Sequence, residues 1–187
     1  MGHAIKSSRA ATSAKTDAIA LLTADHAALT AMFDEFETLA KALPAAPSGR
    51  RALANKICHS LIAHTAIEEE IFYPAVRIAL EESQLLDKAE VEHAIATTLI
   101  DDILAMEPSD DKYDAKVLVL GEHINRHVKE ENNEMFPKAR KAKLDLPALG
   151  EMMAKRRKEI LHGKSAPTIE SVEEVTVTSY VPRGAGA

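Results

Sequence analysis

The sequence is poor in several residue types, and each shortage excludes a class of protein. Tryptophan is absent, aromatic residues make up 4% of the chain, and glycine occurs seven times in 187 residues. Aliphatic side chains and alanine must therefore fill the core, which favours packed helices over a turn-rich β-sandwich. The single cysteine, Cys58, cannot form a disulfide within the chain. A reducing compartment is therefore expected.

Excess positive charge and long apolar runs are also lacking. The net charge of −6 argues against nucleic acid as a partner, because binding to a phosphate backbone needs a basic surface. No apolar run approaches the roughly 18 to 20 residues that a membrane span requires. Residues 1–16 contain no apolar core of a signal peptide. We therefore expect a cytoplasmic protein that has no membrane partner.

The composition that remains is typical of a globular protein, with 28% charged and 46% hydrophobic residues. Prolines and apolar spacing at steps of three, four or seven predict helices at about 17–43, 50–80, 86–106, 112–141 and 146–162. Asp17 or Thr16 is expected to cap the first helix, and the loop at 108–111 to cap the fourth. Pro74 predicts a kink or a break in the second helix.

The predicted fold class is all-α. Four long helices with short connections favour an antiparallel up-down four-helix bundle, followed by an extra short C-terminal helix and a tail. The corresponding division is a flexible N-terminal arm (1–16), the bundle (17–141), an accessory helix (142–163) and a C-terminal tail (164–187). Residues 175–181 alternate like a strand, but the sequence offers them no pairing partner. The basic run at 155–158 is expected to be a solvated surface.

Histidines and glutamates occupy the apolar stripes of the predicted bundle. Each long helix has one such histidine, and the second and fourth helices add a glutamate one turn later: His26, His64, Glu68, His93, His127 and Glu131. Residues four apart on a helix reach the same side of it. A buried carboxylate is costly unless it is paired. These inward-facing side chains therefore predict a pair of metal cations at the bundle axis.

An internal repeat supports a two-metal site. The segments 64–77 and 127–140 share a histidine, a glutamate at +4, a proline at +10 and an arginine at +13. His26 and His93 precede these segments by 38 and 34 residues. The bundle is thus expected to consist of two helical hairpins that each donate two imidazole nitrogens, with the carboxylates bridging the metals.

Other assignments remain in competition with this site. A ferritin-like centre needs Glu-x-x-His on two helices, and only Glu90 with His93 provides it. The His-Glu-x-x-His motif of zinc hydrolases is absent. Glu130 competes with Glu131, although the repeat favours Glu131. Tyr73 can hydrogen-bond to the centre or ligate it, but an ordinary half-buried tyrosine is the preferred interpretation.

The order of the six residues, with the segments EEEIFYP and MFP that follow the two glutamates, resembles the hemerythrin-like, or HHE cation-binding, family over about residues 17–141. The resemblance implies a four-helix bundle around a non-haem di-iron centre with bridging carboxylates. Its cofactors would be two iron ions joined by an oxo or hydroxo bridge, with zinc or manganese as substitutes. It also implies oxygen-related roles, or roles in sensing iron or redox state.

The sequence departs from the oxygen-carrying members of that family. Their third helix carries His-x-x-x-His, whereas in this chain Thr97 occupies the position four residues after His93. Two histidines, two bridging carboxylate oxygens and the oxo or hydroxo bridge make five ligands, so each octahedral iron keeps one open position, which argues against reversible oxygen carriage. His123 lies one turn before His127 and is a candidate fifth ligand.

Two hypotheses of function follow. In the first, His26 and His64 hold one iron, His93 and His127 hold the other, and O₂, peroxide or a related oxidant binds or reacts there. In the second, the domain is an iron- or redox-responsive interaction module without turnover. That module would report metal loading to a protein partner. A homodimer is compatible with both hypotheses.

Overall fold

The computed structural model describes residues 17–42, 47–80 and 84–163, and all regular structure in these ranges is helical. The expected arm at 1–16 and the tail at 164–187, including the strand-like segment, lie outside the described residues. The elements are α1 (Ala18–Lys41), α2 (Pro47–Ile67), π1 (Glu68–Phe72), α3 (Tyr73–Leu80), α4 (Gln84–Ala105), α5 (Tyr113–Glu130), π2 (Glu131–Met135), α6 (Phe136–Lys141) and α7 (Leu146–Leu161).

Helices α1, α2, α4 and α5 form the predicted four-helix bundle. Contacts at their ends show how they run: Arg50 at the start of α2 pairs with Asp114 at the start of α5. Lys116, also near the start of α5, lies 2.6 Å from Asp102 near the end of α4. Helices α2 and α5 are thus parallel to each other and α4 is antiparallel to α5, so the predicted all-α bundle is confirmed. In the described ranges, no helix combines the length and the apolar character needed to cross a bilayer.

Among the described residues, the interior consists of two apolar clusters, and the inward-facing histidines lie where they meet. On α1, His26 separates Leu22, which belongs to one cluster, from Leu29, which belongs to the other. The same holds on α2, where His64 lies between Leu61 and Ile67. A polar layer is therefore enclosed above and below by apolar packing.

Two short π-helical segments interrupt the bundle, and each begins at one of the predicted glutamates. The segment π1 starts at Glu68 and π2 at Glu131, and each ends two residues before a proline, Pro74 or Pro137. Proline cannot donate to the carbonyl four residues earlier and its ring crowds that carbonyl. A widened π turn accommodates this conflict. The disturbance predicted at Pro74 is therefore a π turn, after which the helix continues to Leu80.

The helix caps agree with the sequence at one end and differ at another. Asp17 accepts the backbone N–H of Ala20 at 2.7 Å, as predicted. The expected cap of α5 from the 108–111 loop does not form. Its N-cap is Lys112, which has a left-handed backbone with φ of 70° and no side-chain cap. Asp110 instead accepts the N–H of Glu107 at 2.8 Å, so its carboxylate is used within the loop.

The accessory helix α7 packs against α1, α2 and π1. Asp145 caps it by accepting the N–H of Ala148 at 3.1 Å, and its own Met153 is fully buried. The expectation of a solvated basic run is wrong at Arg156, which is 7% exposed. Its guanidinium donates twice to Glu70 of π1, at 2.5 and 3.0 Å, because α7 lies directly over that segment.

Candidate metal centre

Six inward-facing side chains converge in the middle of the bundle, each at most 3% exposed: His26, His64, Glu68, His93, His127 and Glu131. They come from α1, α2, π1, α4, α5 and π2. Their helical spacing aims them at the axis, and the apolar clusters on both sides exclude water. The structure thus brings together all six residues that the sequence singled out, leaving aside His123.

The four histidines form two pairs. Nε2 of His26 lies 3.2 Å from Nε2 of His64. Nε2 of His93 lies 3.1 Å from Nε2 of His127. In each pair the two ring nitrogens face each other across the hairpin, so both can direct a lone pair at one cation.

The two glutamates lie between these pairs. Oε2 of Glu68 is 3.3 Å from Nε2 of His64 and 3.5 Å from Nε2 of His93. Oε2 of Glu131 is 3.2 Å from Nε2 of His26 and 3.6 Å from Nε2 of His127. Each carboxylate therefore touches one histidine of each pair, which is the placement that bridging of two metals requires.

Three of the four oxygens of the two buried carboxylates lack a hydrogen-bond donor. Both oxygens of Glu68 and Oε2 of Glu131 have no hydrogen-bond partner, although neither residue is more than 2% exposed. Burial raises the pKa of Glu68 well above its ordinary value, and the negative charge of Glu131 adds to this rise. At Glu131, burial acts in the same direction but the surrounding imidazoles, led by His26, lower the pKa. Bound cations would relieve the unpaired charge, so the residues present fit a metal pair.

The histidines are suited to act as ligands. Burial lowers the pKa of His64 to about 4 and also lowers the pKa of His127. Neutral imidazoles offer a free lone pair to a metal at neutral pH. Ligand atoms of His26, His64, Glu68 and Glu131 lie within 4.8 Å of one another, as do those of Glu68, His93 and His127. A mixed nitrogen and oxygen set of this kind suits iron, zinc and related ions.

Tyr73 belongs to the centre, contrary to the preferred interpretation of an ordinary half-buried tyrosine. It is 1% exposed, its hydroxyl donates to Oε1 of Glu131 at 3.0 Å, and the hydroxyl oxygen also lies 3.3 Å from Nε2 of His93. Burial and the charges of Glu68 and Glu131 raise the pKa of Tyr73 well above its ordinary value. The phenol is therefore a protonated hydrogen-bond donor in the metal-free site.

Two aromatic rings stack on histidines of the cluster, and the two aromatic residues occupy equivalent positions of the internal repeat. Tyr73 stacks on His93 with ring centroids 5.5 Å apart, and Phe136 stacks on His26 at 5.7 Å. Because Phe136 has no hydroxyl, the polar contact to a bridging glutamate exists in one half of the repeat.

Three carboxylates approach the outer ring nitrogens of the histidines. Nδ1 of His93 donates to Glu69 at 2.8 Å, and Nδ1 of His127 donates to Glu92 at 3.0 Å. Nδ1 of His64 lies 3.8 Å from Asp25. Hydrogen bonds such as the first two orient metal-binding histidines and raise their basicity, whereas the Asp25 contact is longer than a hydrogen bond and acts through its charge. The sequence analysis missed Asp25 and Glu92. Each directly precedes the histidine of its hairpin that has no glutamate four residues later, His26 or His93.

The structure does not bring His123 into the cluster. Its Nε2 donates to the backbone carbonyl of Glu92 at 2.9 Å, and its Nδ1 accepts from Arg126 at 2.8 Å. Both ring nitrogens are thus occupied beside α4, so His123 provides no lone pair for a metal. Thr97 lies at the surface and bonds to the backbone oxygen of His93 at 3.0 Å.

The remaining competitors lie outside the centre. Glu130 forms an ion pair with Lys88, so Glu131 is the glutamate that faces the axis. Cys58 is buried in the apolar core, where desolvation raises the pKa of its thiol to about 11. A thiol of this kind is a poor nucleophile at neutral pH.

Comparison with known proteins agrees with this geometry. Residues 17–139 match the family described as Hemerythrin HHE cation binding domain. A solved structure of a hemerythrin HHE cation binding domain-containing protein from Mycobacterium kansasii is similar in fold, with a TM-score of 0.63. It is 24% identical in sequence, and the likeness covers 77% of this chain and 86% of that one. No curated protein matches the sequence.

Proposed function

The chain belongs to the hemerythrin HHE cation-binding family, and on that premise we propose that its centre holds two non-haem iron ions that react with O₂, peroxide or a related oxidant. His26 and His64 would hold one ion, and His93 and His127 the other. Glu68 and Glu131 would bridge them. The observation that carries the proposal is Glu68, whose two buried oxygens lack donors while lying between the two histidine pairs.

Bound iron would supply oxidant binding and electron transfer, and the side chains around it would control access and protons. The hydroxyl of Tyr73 donates its proton to Oε1 of Glu131, with 3.0 Å between the two oxygen atoms. The stacked rings of Tyr73 and Phe136 cover two of the histidines and exclude bulk water. A surface cavity of about 470 Å³ lies over Phe136, between Ile19 of α1 and Asn132 of π2. A small oxidant would approach His26 from this side.

Turnover is favoured over reversible carriage. Thr97 lies at the surface, and both nitrogens of His123 are bonded elsewhere. Among the described residues, the cluster therefore contains four histidines and two glutamates, and no further histidine joins them. Each ion would keep an open position, as in the coordination expected from the sequence, and two adjacent open positions suit a substrate with two oxygen atoms.

The test is to load the metal-free chain anaerobically with ferrous iron and to measure bound metal, optical absorption in air and O₂ release from hydrogen peroxide. We expect two irons per chain and catalytic conversion of two H₂O₂ into two H₂O and one O₂. A zinc-loaded sample is the matched control, because zinc fills N/O sites without redox chemistry. A chain that binds only one iron, or no iron, would contradict the proposed centre.

The alternative is an iron- or redox-responsive interaction module without turnover. The observation that favours it is α7, which packs over π1 and connects to the ligand-bearing segments through Arg156 and Glu70. Metal binding stabilises a fold that contains the ligands. A chain whose unfolding temperature rises with iron, but which consumes no peroxide and binds no O₂, would support this function instead.

A further inference from the structure

The accessory helix α7 reaches the metal centre from outside the segment that matches the family. Nη1 of Arg157 lies 2.9 Å from Oδ1 of Asp25, and Oδ2 of the same carboxylate lies 3.8 Å from Nδ1 of His64. We propose that Arg157 is a positioning residue for the ion at His26 and His64, acting through Asp25. This inference rests on the proposed two-metal centre.

The first argument is the charge of Asp25. Its carboxylate is 7% exposed, and a buried carboxylate requires a counter-charge. Arg157 provides that charge from a side chain that is 39% exposed. Without this pair, the Asp25 carboxylate would turn towards solvent, and His64 would lose its acidic neighbour.

The second argument is the orientation of His64. Its Nδ1 is buried and has no hydrogen-bond partner, and Oδ2 of Asp25 faces it at 3.8 Å, beyond hydrogen-bond distance but within reach of electrostatic attraction. A carboxylate behind a metal-binding histidine holds its orientation and raises its donor strength. Arg157 holds the far side of that carboxylate.

The third argument is that Arg157 stands on a fixed helix. The neighbouring Arg156 forms two hydrogen bonds to Glu70, and Met153 is fully buried one turn earlier. The family match ends at residue 139, whereas α7 begins at Leu146. The support of this half of the centre therefore comes from an element beyond the matched segment.

The other half of the centre is supported differently. Glu92 accepts from Nδ1 of His127 at 3.0 Å, and Nε of Arg126 on α5 lies 3.7 Å from Glu92. Both arginines stand behind an acidic residue that precedes a histidine ligand, but only Arg157 comes from α7. Removing Arg157 should therefore weaken the binding of one ion, and removing Arg126 should weaken the binding of the other.

The experiment compares Arg157→Gln, Arg157→Lys, Arg126→Gln and the double glutamine variant. Ferrous iron is titrated anaerobically into each full-length chain against a colorimetric chelator, which yields one dissociation constant for each ion. We expect Arg157→Gln to weaken the binding of one of the two ions by up to roughly 10-fold, the lower end of the effect of a direct partner of a ligand, and Arg157→Lys to restore most of the affinity. Arg126→Gln should weaken one ion, and the double variant should weaken both.

Circular dichroism of the metal-free variants verifies that each is folded. If Arg157→Gln does not fold, Arg157→Lys tests the inference. Two ions bound by Arg157→Gln with wild-type affinities would overturn this inference and leave the proposed centre intact. Equal weakening of both ions by Arg157→Gln would also overturn it, because the effect would then be general. A wild-type chain without two iron sites would instead overturn the proposed function, and this inference with it.

Discussion

The hydroxyl of Tyr73 donates to Oε1 of Glu131 at 3.0 Å, and this contact joins the two halves of the internal repeat. Tyr73 follows the histidine and glutamate of the first half, whereas Glu131 belongs to the second. The equivalent residue of the second half, Phe136, has no donor for Glu68. Two ions held by similar ligands would therefore have unequal surroundings.

The substitution Tyr73→Phe keeps the ring but removes this hydrogen bond. The free energy of unfolding should fall by about 1 kcal/mol in the metal-free chain, as measured by urea denaturation. Two irons should still bind. Peroxide consumption should fall roughly 10-fold, because Glu131 loses the donor that orients it.

Tyr113→Phe is the matched control, since the hydroxyl of Tyr113 is buried without a partner. Its removal should leave stability unchanged or slightly increase it. Equal effects of the two substitutions would show that the Tyr73 contact has no special role.

Glu68→Gln should separate metal binding from stability. The amide keeps the volume of the side chain but removes a buried charge that has no donor. We expect the metal-free variant to unfold at a higher temperature than the wild type, and to bind fewer than two irons with little thermal stabilisation by metal. Metal analysis and calorimetry provide the two measurements. Glu130→Gln is the control because Glu130 pairs with Lys88 away from the centre, and an identical loss of iron there would contradict the assignment.

The stability that the metal-free chain gains from Glu68→Gln should depend on pH. Burial raises the pKa of Glu68 above its ordinary value of 4.5, so the folded chain holds this proton at pH values where the unfolded chain has lost it. The neutral carboxyl is fully present below about pH 4.5, and its stabilising contribution is lost as pH rises through the raised pKa. The variant should therefore exceed the wild type most above that pKa and approach it near pH 4.5. Urea denaturation of both metal-free chains across this range measures the difference, and a difference that stays constant with pH would show that the ionisation of Glu68 is not its cause.

Gly121→Ala should destabilise the bundle. A Cβ at this position would lie 2.9 Å from Cδ1 of Phe33, closer than van der Waals contact allows, because α5 approaches α1 there. Overpacking of this kind costs about 1–3 kcal/mol, which offsets or outweighs the gain of about 1 kcal/mol in helix propensity. In Gly49→Ala nothing lies within 4 Å of the new Cβ, so only the gain in helix propensity should remain. Chemical denaturation of both variants gives the comparison, and stabilisation by Gly121→Ala would show that Phe33 moves freely.

The fold and the ligand candidates were predictable because they depend on local spacing. Apolar steps and prolines located the helices to within a few residues, and the i, i+4 relation placed His64 beside Glu68 and His127 beside Glu131. The same rule selected His123, four residues before His127, but a backbone carbonyl of α4 and Arg126 occupy its ring. Spacing along one helix predicts which side a residue faces, and the neighbouring helix decides what the residue contacts there.

The sequence by itself determined the all-α bundle, the two matched hairpins and the set of residues available to a metal pair, because periodicity and proline chemistry are written along the chain. Only the tertiary structure decided that Tyr73 bonds to Glu131, that Asp25 and Glu92 lie behind His64 and His127, and that Arg157 of α7 reaches Asp25. Each of these contacts joins residues far apart in sequence. Their distances depend on how the helices rotate and cross, which the packing of the whole core determines.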